Sequence, residues 1–285
     1  MKKTLLLALC GLLFLSTGTL CAEKSTGGKL DLSQTVESPQ MGGAQHFAVY
    51  FPPSYEAEPE RNFPILYLLH GMMADYTSWA ELGNLKTIAD SVFAAGEVPE
   101  MVIVTPDGRD AFYCNVNREG LPYEDYFLED FLPEVERRFR VDTSCGRAIA
   151  GLSMGGYGAA FMAFKHPELF SSSYAMSGGF VFDWGVPDFV EFVEAEVARL
   201  KAEAGETPLT EAELSEKLAK KFPPFVMECG TEDQLVFPMN EEVHTWLETA
   251  GFVHTYITRE GVHDWDFWQV CLPKALHFAG ENFKK

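Results

Sequence analysis

Short segments in which nearly every residue is apolar alternate with helical patterns along most of this chain. Because apolar residues follow one another without a polar face, strands of this kind must be buried on both sides. The predicted strands are 46–51, 63–69, 101–105, 148–151, 172–176, 224–229 and 253–258, and helical patterns cover 85–95, 123–139, 155–165, 240–250 and 265–278. Buried strands separated by helices predict an α/β fold, with a mainly parallel sheet and helices on both faces.

One segment, 186–222, does not fit this alternation. It holds nine acidic and five basic residues around sparse apolar positions, and the stretch from Gly205 to Pro208 divides it into two predicted helices. A solvated helical insertion explains this composition. Its place between two sheet strands also allows it to cap the carboxyl edge of the sheet, where functional residues gather, so both interpretations stay open.

The composition is that of a folded and strongly acidic chain. Of its 285 residues, 47% are hydrophobic, which is enough to build a large core and excludes a disordered protein. The 42 acidic and 22 basic side chains give a formal net charge of -20. A surface this acidic repels phosphate backbones and anionic lipids, so we expect neither a nucleic-acid partner nor membrane docking.

The first 22 residues have the layout of a secretory signal peptide. Lys2 and Lys3 precede the apolar run 5–15, and small residues follow it. This layout predicts cleavage after Ala22, an exported protein that is periplasmic or secreted, and one α/β domain over 23–285 that includes the helical insertion. The apolar run is too short to span a membrane, and no later stretch is long enough.

The cysteines predict neither a metal site nor a lipid anchor. Leu20 is not the small residue that lipoprotein processing favours before a cysteine, so no lipid is expected on Cys21. Disulfides and buried free thiols are both open for the four cysteines of the mature chain, whose long and irregular spacing argues against zinc: Cys114, Cys145, Cys229 and Cys271. No metal and no cofactor is predicted.

The pentapeptide Gly-Leu-Ser-Met-Gly at 151–155 matches the nucleophile elbow G-x-S-x-G. The motif requires a strand before it and a helix after it, and both are predicted here. The chain must turn so tightly that large side chains around Ser153 would collide, and glycines avoid that collision. The Ser153 hydroxyl would then project above the edge of the sheet.

A serine nucleophile needs a base and an orienting acid, which follow it in this kind of fold in the order Ser, acid, His. Of the seven histidines, only His263 lies in a loop after a late strand, so it is the predicted base. Asp233 lies beyond the carboxyl end of the strand 224–229 and is the predicted acid. Glu232, one residue earlier, is its rival.

Attack on an ester builds negative charge on the carbonyl oxygen, which backbone N–H groups must stabilise. Met154 follows the nucleophile at the start of a helix and is one predicted donor. Met72, in the loop after the strand 63–69, is the other. His70 precedes this loop and is expected to support it rather than to act as the base.

These segments together resemble the esterase D-like branch of the α/β-hydrolases. They occur in the order found in that family, from about residue 46 to the end of the chain. The segments that carry the resemblance are His70-Gly71 with Trp79, 105–108 (Thr-Pro-Asp-Gly), 150–158 around the elbow, 229–233 (Cys-Gly-Thr-Glu-Asp), and 261–265 (Gly-Val-His-Asp-Trp) with Phe267 and Trp268.

The resemblance implies the α/β-hydrolase fold and the same five site residues that the spacing indicates: Ser153, Asp233 and His263 as a catalytic triad, with Met72 and Met154 as oxyanion donors. The family includes feruloyl and acetyl-xylan esterases, short-chain acyl esterases and S-formylglutathione hydrolases. The long charged segment 186–222 departs from the family pattern, so substrate preference does not carry over directly.

The expected function is that of a secreted serine carboxylesterase that hydrolyses short-chain or carbohydrate-linked acetyl or feruloyl esters through an acyl-enzyme. An acyltransferase or a thioesterase of the same fold is one alternative, and a non-catalytic binding module is another. The expected partner is a small-molecule or oligosaccharide ester. Four aromatic residues are candidates for lining its site, although core packing explains each of them equally well: Trp79, Tyr113, Trp184 and Trp265.

Overall fold

Eight strands form one sheet through the centre of the structure, a computed structural model that describes residues 27–180, 185–205 and 207–284. They lie in the order β1-β2-β4-β3-β5-β6-β7-β8. Neighbours from β4 to β8 are parallel, and β1 and β2 are antiparallel at one edge, which confirms the predicted α/β fold. The strands are β1 (Lys29–Ser38), β2 (Gly43–Phe51), β3 (Ile65–Leu69), β4 (Val102–Pro106), β5 (Arg147–Leu152), β6 (Phe170–Met176), β7 (Phe225–Gly230) and β8 (Thr255–Arg259).

Helices cover both faces of the sheet. They are α1 (Ser78–Glu81), α2 (Leu85–Ala95), α3 (Tyr123–Asp125), α4 (Leu132–Arg138), α5 (Met154–Lys165), α6 (Phe189–Glu203), α7 (Glu211–Lys221), α8 (Phe237–Thr249) and α9 (Trp265–Asn282). Buried residues of α2 and α9 form the core on one face, and those of α5 to α8 contribute to the core on the other. A π-helical turn, Tyr126–Phe131, joins α3 to α4, so the helix predicted over 123–139 is divided into parts.

The pattern of apolar runs in the sequence does not predict β1. Its sequence mixes polar and apolar residues, and only its last part is buried. A strand at the antiparallel edge can face solvent on one side, so it does not need a continuous apolar run. The other strands coincide with the predicted ones to within a few residues.

The segment 186–222 connects β6 to β7 along one face of the sheet. α6 packs against α5 through Phe192, whose ring centroid lies 5.8 Å from that of Phe161. It also contacts α8, where Trp246 Nε1–H donates to Glu194 at 2.9 Å. Adjacent parallel strands require a crossover of this kind. These contacts place α6 beside α5 and α8 on the flank of the sheet.

Four cysteines of the described chain are free and buried, so the disulfide alternative is wrong and the buried-thiol alternative is correct. Burial raises the pKa of Cys114, Cys229 and Cys271 to about 12, which keeps these thiols protonated at neutral pH. In the described part of the chain, no group of three or more His, Cys, Asp or Glu side chains is placed to hold a metal ion.

The N-terminal segment with the predicted signal peptide lies outside the described residues. Within the described ranges, every helix falls short of the length or the apolar character that a membrane crossing requires.

A buried carboxylate joins the end of β7 to α9. The Glu228 side chain is fully buried and accepts hydrogen bonds from Arg259 Nε at 2.7 Å, from Lys274 Nζ at 2.6 Å and from the Tyr174 hydroxyl. Burial by itself would raise the pKa of Glu228, but these three hydrogen bonds outweigh it and lower the pKa. The ionised carboxylate therefore contributes to the stability of the fold.

We expect Glu228→Gln to lower the free energy of unfolding by about 2 kcal/mol, because two cations lose their partner while remaining partly hydrated. The pKa of Glu228 is lowered in the folded state, so its contribution is fully present above the ordinary glutamate pKa and is lost as the pH falls further. Urea unfolding at several pH values checks this. The difference between wild type and variant should shrink in acid, and the exposed control Glu60→Gln should leave stability unchanged. A difference that grows in acid would contradict the assignment.

Candidate active site

Ser153 occupies a strained turn between β5 and α5. Its backbone has φ 53° and ψ -118°, a region that residues with a Cβ rarely adopt. The Ser153 N–H donates to Met176 O at 2.8 Å, and the Ser153 carbonyl accepts from Gly179 N–H at 2.8 Å and from Tyr157 N–H at 3.0 Å. Neighbouring main chain therefore holds the serine in a conformation that is unfavourable on its own.

The two glycines of the motif are needed for space. A Cβ on Gly151 would lie 2.3 Å from Gly155 O, and a Cβ on Gly155 would lie 2.6 Å from His70 O. Both distances are shorter than any tolerated contact with backbone. The turn can therefore form only when neither position carries a side chain. This explains why the G-x-S-x-G motif requires glycine at both.

The structure brings Ser153, His263 and Asp233 together in one hydrogen-bonded chain. His263 Nε2 lies 2.9 Å from Ser153 Oγ, and His263 Nδ1 lies 2.7 Å from Asp233 Oδ2. A proton on Nδ1 satisfies the carboxylate, which leaves Nε2 free to accept the serine proton. This is the order of contacts that activates a serine hydroxyl.

The carboxylate of Asp233 is itself fixed. Its side chain is fully buried, and Oδ1 accepts the N–H groups of Leu235 and Val236, both at 3.2 Å. Glu232, the rival acid, is exposed. The geometry therefore favours Asp233 as the partner of His263.

Main-chain pairing continues beyond the ends of β7 and β8. The Thr231 N–H donates to Arg259 O at 2.9 Å, and the Glu232 N–H donates to Gly261 O at 3.0 Å. These two bonds hold the loop after β7 against the loop after β8. Residues thirty positions apart in sequence, Asp233 and His263, meet because adjacent parallel strands end at the same edge.

The two predicted oxyanion donors lie beside the serine. Met154 is the first residue of α5, where a backbone N–H has no acceptor within the helix. A Cβ placed on Gly71 would come within 3.3 Å of Ser153 Cβ, so the loop that continues into Met72 passes directly against the serine. Donation by these two groups to a substrate oxygen stays a prediction.

His70 orients the loop that contains Met72. Its Nε2 accepts the Gly108 N–H at 2.7 Å, so Nδ1 carries the proton and donates to Gly71 O at 2.7 Å. In the trans peptide that joins Gly71 to Met72, the N–H points away from the C=O. Because His70 holds the Gly71 carbonyl on one side of this peptide, the Met72 N–H points to the opposite side.

Asp110, in the segment that follows β4, holds the same loop at Met73. Its Oδ1 accepts the Met73 N–H at 2.8 Å. Asp110 could not be identified from the sequence, because an aspartate after a strand has no motif of its own. Only the folded arrangement shows that it contacts the loop 71–73, which we call the oxyanion loop after its predicted role.

Two of the four aromatic candidates are core residues. Trp79 and Tyr113 are fully buried, and their N–H and O–H groups donate to Leu69 O and His70 O, each at 3.0 Å. The prediction that they line a substrate site is corrected, because they have no surface to offer a ligand. Trp265 is half-buried, and Trp184 lies outside the described residues.

Three exposed apolar side chains lie next to predicted site residues in the chain and were not identified from the sequence. Met73 is 88% exposed and follows Met72, Leu235 is 60% exposed two residues after Asp233, and Val262 is 45% exposed directly before His263. Exposed apolar side chains near a functional site are candidates for contact with a ligand. The sequence signal that could have identified them is their position next to predicted site residues.

Comparison with known proteins agrees with this geometry. The family model for esterases, described as "Putative esterase", matches residues 38–279. The solved structure of a ferulic acid esterase is 31% identical, with a TM-score of 0.74 over 90% of this chain and 99% of that one.

Two curated relatives are more distant. An endo-1,4-beta-xylanase/feruloyl esterase of Xylanibacter ruminicola is 26% identical over 84% of this chain, which spans 30% of that protein's length. An acetyl esterase of Caldicellulosiruptor saccharolyticus is 24% identical, covering 77% of this chain and 84% of that protein. With the family model matched over most of its length, the chain belongs to the esterase family and is a carboxylic ester hydrolase with the α/β-hydrolase fold.

Proposed function

We propose that this esterase hydrolyses short-chain or carbohydrate-linked acyl esters, of the acetyl or feruloyl type, through an acyl-enzyme on Ser153. The observation that carries the proposal is the unbroken hydrogen-bonded chain from Asp233 through His263 to Ser153. Such a chain allows a neutral serine hydroxyl to become a nucleophile at neutral pH.

Acylation begins when His263 Nε2 takes the proton of the Ser153 hydroxyl as Oγ attacks the ester carbonyl carbon. The carbonyl oxygen becomes an oxyanion, which accepts hydrogen bonds from the N–H groups of Met72 and Met154. The buried carboxylate of Asp233 stabilises the imidazolium that has formed. The bond to the alcohol then breaks, and His263 returns the proton to the departing oxygen.

Deacylation repeats these steps with water as the nucleophile. His263 removes a proton from the water as it attacks the acyl carbon, and the second oxyanion forms at the same two N–H groups. When the acyl–oxygen bond to Ser153 breaks, the imidazolium returns the proton to Oγ. The free acid leaves, and the serine is restored.

The substrate class is supported by two observations. The relatives are named as feruloyl, ferulic acid and acetyl esterases. Met73, Leu235 and Val262, each exposed and within two residues of a proposed site residue, offer apolar contact to an acyl group. We therefore propose neutral esters of small or aromatic acids as substrates.

We also propose that the protein is exported. The support is the sequence of the first 22 residues, with two lysines before an apolar run and a small-residue stretch after it. N-terminal sequencing of protein recovered from an expressing bacterium would test cleavage after Ala22.

Ser153→Ala should abolish hydrolysis of p-nitrophenyl acetate, with kcat reduced by about 10⁴-fold or more, since no other group replaces the nucleophile. Steady-state kinetics on purified protein check this. The control is Ser33→Ala, which removes an exposed hydroxyl on β1 and should change nothing. Equal activity of the Ser153 variant and wild type would refute the assignment.

Activity should fall in acid, because His263 must be neutral to accept the serine proton. An imidazolium cannot accept that proton, so kcat/KM should fall as the solution is made acid. The rate is measured from pH 4 to pH 9, with recovery checked after return to neutral pH. His46→Gln, at an exposed position on β2, should keep the same profile. A profile that stays flat down to acid pH would count against His263.

Asp110→Ala should lower kcat by about 10-fold and leave KM nearly unchanged, because the Met73 N–H loses its acceptor and the oxyanion loop moves. Asp110→Asn keeps an oxygen at the same position and should retain most of the activity. Kinetics of the two variants on one ester check this pair. If the alanine variant matches wild type, Asp110 does not orient the loop.

A further inference from the structure

Three tryptophans stand in series between the end of β3 and the imidazole of His263. Their ring centroids are separated by 5.3 Å from Trp79 to Trp265 and by 5.3 Å from Trp265 to Trp268, and Trp268 lies 4.9 Å from His263. Each contact is nearly perpendicular, with interplanar angles of 88°, 89° and 89°. We call Trp79, Trp265 and Trp268 the tryptophan brace.

Both ends of the brace are hydrogen-bonded to the ends of parallel strands. Trp79 Nε1–H donates to Leu69 O at the last residue of β3, directly before the oxyanion loop. Trp268 Nε1–H donates to Ser177 Oγ at 3.2 Å, and Ser177 directly follows β6. Trp79 and Trp268 are buried, so neither indole can turn without losing this bond and its packing. The brace is therefore a rigid connection between two strand ends and the ring of His263.

His263 needs such support because its own backbone lies in a loop. Its side chain is 19% exposed, and its two nitrogens must point at Ser153 and Asp233 at the same time. After Nε2 takes the serine proton, the ring is a cation that water would solvate well. A ring that swung outward at that moment would lose the proton to solvent instead of giving it to the leaving alcohol.

We propose that Trp268, held by Trp265 and Trp79, is a positioning residue that keeps the His263 imidazole in line with Ser153 and Asp233 throughout the reaction. This inference rests on the proposed role of His263 as the base. Trp268 contacts the imidazole and takes no part in proton transfer. T-shaped packing resists rotation of the ring out of the line that joins its two partners.

The test compares Trp268→Leu with Trp268→Phe in the full-length enzyme. Leucine removes the aromatic contact, whereas phenylalanine keeps a ring against His263 and dispenses with the hydrogen bond to Ser177. Trp246→Leu removes an indole from α8, where it contacts Glu194 and not the triad, and is the matched control. Circular dichroism and thermal unfolding establish the folded fraction, and kinetics are measured well below the unfolding temperature.

We expect Trp268→Leu to lower kcat about 3- to 10-fold per folded molecule with little change in KM, the scale of one lost aromatic pair. Trp268→Phe should recover part of the loss, and Trp246→Leu should match wild type. In proton NMR, the downfield signal of the His263 Nδ1–H bonded to Asp233 should broaden or vanish in Trp268→Leu and persist in the control. A destabilised but correctly aligned enzyme would show neither change once it is folded.

If Trp268→Leu keeps wild-type kcat and an unchanged Nδ1–H signal, the positioning role is refuted. Should Trp268→Leu fail to fold, the same two readouts on Trp268→Met decide, since methionine fills more of the space but has no ring to pack against the imidazole. Ser153→Ala distinguishes failure of the positioning role from failure of the proposed function. Loss of activity in Ser153→Ala with normal Trp268 variants overturns only this inference, whereas full activity in Ser153→Ala overturns the proposed function as well.

Discussion

The backbone conformation of Ser153 is the constraint on which the rest of the site depends. A φ of 53° with ψ -118° is costly for a residue with a Cβ, and it persists because the main chain at and beyond the end of β6 bonds to it on both sides. Main-chain bonds to the end of β6 and the segment after it thus hold the Ser153 hydroxyl in place. A change that loosened the pairing of β5 with β6 would therefore shift the nucleophile.

The other groups reach Ser153 because of strand order. β3, β5, β6, β7 and β8 are neighbours in the parallel part of the sheet, and each ends at the same edge. The oxyanion loop follows β3, the serine follows β5, and the acid and base follow β7 and β8. Side-chain and main-chain contacts then align these loops: His70 and Asp110 hold the first, paired main chain joins the last two, and the tryptophan brace connects the first to the base.

Local rules accounted for much of this from sequence. The elbow is contained in five consecutive residues, so its strand, turn and helix could be predicted together. Asp233 and His263 were identified because each follows a strand in a fixed chain order, and the structure places them within hydrogen-bond distance of their partners. Their catalytic roles remain our proposal.

The sequence could not show which side chains pack into the core and which face a ligand, or where the helices lie on the sheet. From the sequence, Trp79 and Trp265 were equal candidates for a substrate contact, and only the fold shows that Trp79 is fully buried with its N–H bonded to Leu69 O. Helices were expected within 186–222, but periodicity does not say whether a helix lies over an edge or along a face. β1 was missed because an edge strand has no continuous apolar run, and Asp110 because its partner is a backbone N–H distant in sequence.

The most direct test of the central claim is to identify the acylated residue. The enzyme is mixed with p-nitrophenyl acetate, quenched in acid during the first turnovers, digested and mapped by mass spectrometry. We predict an acetyl group on Ser153 that appears with the release of p-nitrophenol and disappears as acetate forms. An acetyl group on a different residue, with Ser153 unmodified throughout turnover, would contradict the account.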